Sequence, residues 1–145
     1  MTARLATRRS QFPPRPDWAW LRWHWQGQPI LHEGLALAEI STRETGQLAC
    51  LATPYRYSEG GPVLGADYAG AWLQDLAQAQ IMAISPAFMA GWSGQDVALP
   101  APAVRACGCI IVPPAVGWRD APDVWQAVCL ALAAVKPVYL LEGCA

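Results

Sequence analysis

Cys109 to Leu141 reads CIIVPPAVGWRDAPDVWQAVCLALAAVKPVYLL. It opens with an apolar, β-branched run, Cys109 to Val112, closed by Pro113-Pro114, the form of a buried strand. Asp120 then offers a helix N-cap. Val124, Ala127, Val128, Ala131, Leu132 and Val135 follow at the three- and four-residue spacing of an amphipathic helix. Val138 to Leu141 is a second apolar run. Strand, helix, strand is a parallel unit, which closes with a right-handed crossover.

The same rhythm extends toward the N-terminus. Leu48 to Thr53 is a short apolar run ended by Pro54, and Ile81 to Ser85 is another, ended by Pro86. Between them lies a Gly-rich loop. Asp67 then caps a helix in which Ala69, Trp72, Leu73, Leu76 and Ala77 recur, to about Gln80. Gly91 to Pro102 is loop-like, with a short helix over Ala103 to Ala106. The order β-α-β-α-β-α-β predicts an α/β fold with a parallel sheet covered on both faces. The simplest arrangement is a Rossmann-like, doubly wound sheet of four core strands in spatial order 2-1-3-4. Its strand order reverses between the first and third strands, and ligands bind there, at the carboxyl ends. Thr53 to Tyr57 and Pro113 to Asp120 therefore become the candidate site.

Composition bounds the function. The 145 residues fit a single domain. They divide into a basic flexible tail (1–16), a Trp-rich extension packed on the domain (17–46) and the α/β domain (47–145). Apolar residues make up 54% of the chain and charged residues 14%, which excludes an intrinsically disordered protein. The net charge of −1 provides no global field for nucleic acid. No apolar run reaches the ~18–20 residues that span a bilayer, so no membrane association is expected. Arg4, Arg8, Arg9 and Arg15 stand in an N-terminus without acids or an apolar core. That reads as a basic tail rather than a secretory signal. Five cysteines without repeated spacing argue against a secreted disulfide framework. Cys107 and Cys109 would share a strand face, as buried reduced thiols with no metal and no cofactor. A cytoplasmic location fits best.

The runs and their breaks resemble a known family. Leu51-Ala52-Thr53-Pro54-Tyr55, Ser85-Pro86, Gly117-Trp118 and Lys136-Pro137 occur in this order. From Leu48 onward the chain resembles the nucleoside 2-deoxyribosyltransferase-like superfamily, and most of all its small, uncharacterised phage and prophage members. The resemblance implies a nucleoside- or nucleotide-like ligand at the cleft, with Thr53, Tyr55, Tyr57, Pro113, Gly117, Trp118 and Asp120 around it. It also implies a Glu nucleophile on the helix after the third strand, forming a covalent glycosyl-enzyme as in retaining glycosidases. The matching position is Ala127, and a methyl group is no nucleophile. The Asp that often follows the Cys before that strand is replaced by Gly108.

Asp123 stands one helical turn before Ala127, on the same face, and is the candidate substitute for catalysis. It also fits an ordinary helix start, Asp120-Ala121-Pro122-Asp123. Tyr55 and Tyr57 fit either ligand contacts or half-buried rim residues. Arg56 fits a phosphate partner or a surface arginine. Neither G-x-G-x-x-G nor G-x-x-x-x-G-K-[ST] occurs.

Asp17 to Trp25 reads DWAWLRWHW. As a strand it would place Trp18 and Trp20 on one face and Trp23 and Trp25 on the other; as a helix the four scatter. A hairpin and a strand followed by a helix both fit the stretch that ends at Ile40. The segment either covers the domain or offers an aromatic platform to a protein partner. Three functions follow: a degenerate binding protein without glycosyl transfer, an active N-glycosidase or deoxyribosyltransferase using Asp123, and a phage-encoded interaction module working through Trp18, Trp20, Trp23 and Trp25. The expected partners are a small-molecule ligand and a host protein or a second copy of the chain.

Overall fold

A computed structural model describes residues 12–25, 27–56, 58, 60–95, 100–141 and 143–144. In chain order its elements are α1 (Trp18–Trp25), β1 (Leu31–Glu33), α2 (Leu37–Arg43), β2 (Ala49–Leu51), α3 (Pro62–Gln78), β3 (Ala83–Ile84), α4 (Pro86–Ser93), α5 (Pro100–Ala106), β4 (Cys109–Val112), α6 (Pro122–Ala133) and β5 (Val138–Leu140). The fold is α/β, and every strand pairing in it is parallel.

The sheet has five strands rather than four, in order β1-β5-β4-β2-β3. The fifth is β1, an edge strand paired to β5 in the register Leu31↔Val138, His32↔Tyr139 and Glu33↔Leu140. Only three residues long and not fully buried, it lacks the apolar run that marks a central strand. β4 is buried throughout, because its side chains alternate between two cores. Ile110 and Val112 join Cys50, Val138 and Leu140 beneath α1, α5 and α6. Cys109 and Ile111 join Ala49, Leu51 and Tyr139 beneath α2, α3 and α4. A strand buried on both faces has no polar side to show, which explains the continuous apolar runs.

Several expectations need correction. Asp67 does not cap a helix; it lies inside α3, which starts five residues earlier with Pro62 at its first position and Gly61 as N-cap at φ 97°. The proline supplies the helical φ and lacks only an N–H that would have no partner. Asp120 is no cap either. Pro122 opens α6, so Ala121 is the N-cap, in an extended conformation and without a side-chain bond, as a residue before proline prefers. Ser85-Pro86 does more than end a strand. It starts α4, with Phe88 N–H donating to Ser85 Oγ at 3.1 Å. Cys107 and Cys109 face opposite cores rather than one, since Cys107 lies outside the strand at the end of α5.

The Trp-rich segment is a helix, not a strand. Asp17 Oδ1 accepts the Trp20 N–H at 3.0 Å and caps α1. Trp18, Leu21 and Trp25 then bury one stripe at helical spacing. Trp18 and Trp25 retain 7% and 1% exposure, so they are core residues and not part of an open platform. The Trp18 ring meets Trp118 at 4.7 Å and Trp125 at 5.0 Å, both edge-on, and its Nε1 donates to the Arg119 carbonyl at 2.8 Å. Trp20 is half-buried, stacked on His24 at 4.0 Å. Trp23 is the member left exposed, at 74%. Among the described residues, no helix is long and apolar enough to cross a membrane.

Candidate functional site

β2 and β4 pair in the register Ala49↔Cys109, Cys50↔Ile110 and Leu51↔Ile111. From here the chain runs outward in both directions, through α3 to β3 and through α6 to β5. The crossovers leave on opposite sides, so the carboxyl ends of β2 and β4 are not covered by either. This is the crevice that parallel α/β sheets use for ligands.

Two openings flank the end of β2. The first is a cavity of about 20 Å³ walled by Cys50, Thr53, Tyr55, Pro86, Asp123 and Ala127, among others. It has room for about one water molecule. The second is a groove of about 380 Å³ along Pro54, Ser58, Leu64, Gly65, Asp67, Tyr68, Ala115 and Val116, within the range of small-molecule sites. Gly65 lets α3 approach the strand end. A Cβ there would come within 3.0 Å of the Pro54 carbonyl and the Ser58 side chain.

Asp123 ties the two halves of the crevice together. Its Oδ2 accepts the Tyr55 N–H at 3.0 Å, and its Oδ1 accepts the Val124 N–H at 3.0 Å. A carboxylate in the first turn of α6 is favoured by the helix dipole. Its position holds the loop after β2 against α6. Thr53 lies beside it, 6% exposed, and its Oγ1 has no hydrogen-bond partner among the described residues. A buried hydroxyl without a partner is unfavourable, so this oxygen is poised to meet a water or a ligand from the cavity.

The candidate residues separate into two groups. Thr53, Tyr55 and Asp123 converge on the cavity, and Ala127 forms part of its wall. Pro113, Gly117, Trp118 and Asp120 line neither opening. Pro113 is buried, while Gly117 and Asp120 are exposed in the turn before α6. Trp118 faces away from the crevice, because Trp18 and the Arg119 guanidinium, 5.1 Å from its ring, enclose it. It is 4% exposed and cannot border the cleft. Tyr57 lies outside the described residues.

The groove residues Asp67, Tyr68 and Val116 are absent from the candidates read in the sequence. Asp67 and Tyr68 are hidden from that reading by the late placement of the helix start. Leu64 and Val116, at 56% and 67% exposure, stand as apolar residues in water at the mouth of the crevice. Among the described residues, no group of three or more His, Cys, Asp or Glu is placed to hold a metal ion.

No family model, no curated protein and no solved structure matches the chain.

Proposed function

We propose that this protein binds a nucleoside- or nucleotide-like small molecule at the carboxyl ends of β2 and β4 and performs no glycosyl transfer. On this reading the chain is a Rossmann-like, degenerate relative of the nucleoside 2-deoxyribosyltransferase-like superfamily. The observation that carries the proposal is the wall of the small cavity. Ala127 lines it one helical turn beyond Asp123, at the position where the resemblance calls for a carboxylate nucleophile. The side chain at that position is a methyl group, which cannot attack carbon.

Asp123 is a poor substitute. Each of its oxygens already accepts a backbone N–H, which stabilises the carboxylate and lowers its tendency to attack carbon. It serves better as the clamp that shapes the crevice. The ligand's bulk belongs in the larger groove, where the Tyr68 ring offers a face for a planar base and Asp67 an acceptor for sugar hydroxyls. Neither opening has a Lys or Arg among its described lining residues, so the unphosphorylated nucleoside is favoured over its 5′-phosphate.

Calorimetric titration with nucleosides and their 5′-monophosphates tests the reading. Saturable binding of a nucleoside, weakened by Tyr68→Ala, is expected. Absence of binding across purine and pyrimidine nucleosides would overturn it.

A further inference from the structure

The sheet ends on an open edge at β1. With the order β1-β5-β4-β2-β3, this strand has β5 on one side and no strand on the other. Val138 N–H donates to the Ile30 carbonyl at 2.7 Å, and Gly34 N–H donates to the Leu140 carbonyl at 2.9 Å. Alternate residues of a parallel strand bond to the same neighbour. Ile30, His32 and Gly34 therefore face β5, while Leu31 and Glu33 turn their N–H and C=O groups outward. Among the described residues, no turn or loop bond uses these groups. Such an edge is a template for another strand.

A groove of about 560 Å³ runs beside the edge, walled by Ala19, Arg22 and Trp23 of α1 and by Gln28, Leu31 and Glu33, among others. Trp23 is the exposed ring of α1. Arg22 Nε donates to Glu33 Oε1 at 2.7 Å. Their side chains remain 36% and 44% exposed, so each has surface left for a second partner. Leu31 packs on the core beneath α1, and strand alternation puts Glu33 on the same face. His32 takes the opposite face, stacked on Tyr139.

We propose that two copies of this chain join edge to edge through antiparallel β1 strands, so that two five-stranded sheets become one continuous sheet. The two-fold axis passes beside His32, perpendicular to the sheet. Leu31 then lies opposite Glu33 of the second copy, and Glu33 opposite its Leu31. Each is a hydrogen-bonded pair, and every outward N–H and C=O of both strands is used. The two α1 helices come to lie on one face of the joined sheet, where their grooves meet and the Trp23 rings close the space between them. A two-fold contact sets a patch against its own copy. Arg22 and Glu33, side by side with opposite charge, thereby face Glu33 and Arg22 of the second copy. This self-complementarity favours a second copy over a foreign peptide. On the other face His32 meets His32. Burial and then the Arg43 charge hold its pKa below 6.5, so the central pair is uncharged at pH 7. β5 and β4 separate the joint from the crevice between β4 and β2, which stays open in both copies.

Analytical ultracentrifugation of the full-length protein, from about 1 μM to about 1 mM, covers the dissociation constants of a modest interface. Wild type should pass from monomer to dimer. Glu33→Lys should weaken association at least tenfold, and Arg22→Glu combined with Glu33→Lys should restore it, with circular dichroism showing folded protein throughout. His32→Cys reads the register directly and does not depend on the charge variants. Opposed Cα atoms in a non-hydrogen-bonded antiparallel pair are about 4.5 Å apart, within disulfide reach. Mild oxidation should yield a covalent dimer linked through position 32, identified by peptide mapping. A monomer across the whole range would overturn the proposal, as would a dimer unchanged by Glu33→Lys or a cross-link through the native cysteines alone. A monomer that instead binds an extended peptide along β1 would also overturn it and assign the edge to a foreign partner.

Discussion

The backbone N–H of Tyr55 donates to Oδ2 of Asp123 at 3.0 Å, across 68 residues of sequence. This bond joins the loop after β2 to the first turn of α6, two of the segments that line the small cavity. A residue suited by position to chemistry thus has a structural occupation. The same carboxylate organises α6 through Val124 N–H.

Replacing Asp123 should therefore change stability before it changes any reaction. Asp123→Ala leaves the Tyr55 N–H without its charged acceptor. Loss of a hydrogen bond to a charged, part-buried group costs about 1.5–3 kcal/mol. Urea denaturation should show a lowered midpoint with an unchanged slope. Nucleoside binding should weaken as well, because the loop after β2 loses its anchor.

Thr53 should behave in the opposite way. Its hydroxyl is buried without a partner among the described residues, so Thr53→Val removes an unfavourable burial and keeps the shape. Stability should stay level or rise by about 1 kcal/mol. Ligand affinity should fall if Oγ1 meets the ligand or a bridging water. A variant that is both markedly less stable and unchanged in binding would show that Thr53 has a purely structural role.

The tryptophans divide in the same manner. Trp18→Ala removes a 7% exposed ring with two aromatic contacts and a hydrogen bond. A loss of about 3–5 kcal/mol is expected. Trp23→Ala removes a ring that is 74% exposed and should stay within about 0.5 kcal/mol of wild type. Thermal denaturation of both variants checks the contrast. Any partner captured through this segment should depend on Trp23 and not on Trp25.

His32 supplies a pH dependence. Its ring stacks on Tyr139 at 4.9 Å. Burial and then the Arg43 charge hold its pKa below the usual 6.5. The unfolded chain therefore binds a proton more readily than the folded one. The contribution is fully present above pH 6.5 and is lost as pH falls through the lowered folded value. Denaturation midpoints should decline from pH 7 toward pH 5. In His32→Phe, which keeps a ring against Tyr139, that part of the slope should vanish.

The legible parts of this protein are those in which one physical signal dominates. β4 and α6 stand out because continuous apolar strands and a clear helical stripe have few other interpretations. The edge strand β1 is short and partly exposed, so its residues carry no such mark. The helix starts mislead for a related reason. Acids at 67 and 120 look like caps, yet the prolines at 62 and 122 define the first turns. In α1 the cap is plain in retrospect. Asp17 precedes a stripe at 18, 21 and 25, but a dense aromatic cluster masks the helical period. Within the site, Thr53 and Tyr55 follow from a strand end, and Asp123 from its place one helical turn before Ala127, the position that the resemblance singles out. The groove over Asp67 and Tyr68 depends on how far α3 extends, and Trp118 depends on where α1 packs. Both are tertiary outcomes that local pattern does not contain.

Binding without glycosyl transfer can be checked by following the fate of the nucleoside itself. The purified protein is incubated at high concentration with 2′-deoxynucleosides and a second free base, and the mixture is separated by chromatography over time. The nucleoside should be recovered intact, with neither free base nor exchanged product above the protein-free control, under conditions in which calorimetry shows it bound. Steady release or exchange of base that disappears in Asp123→Ala would contradict it and make Asp123 the nucleophile.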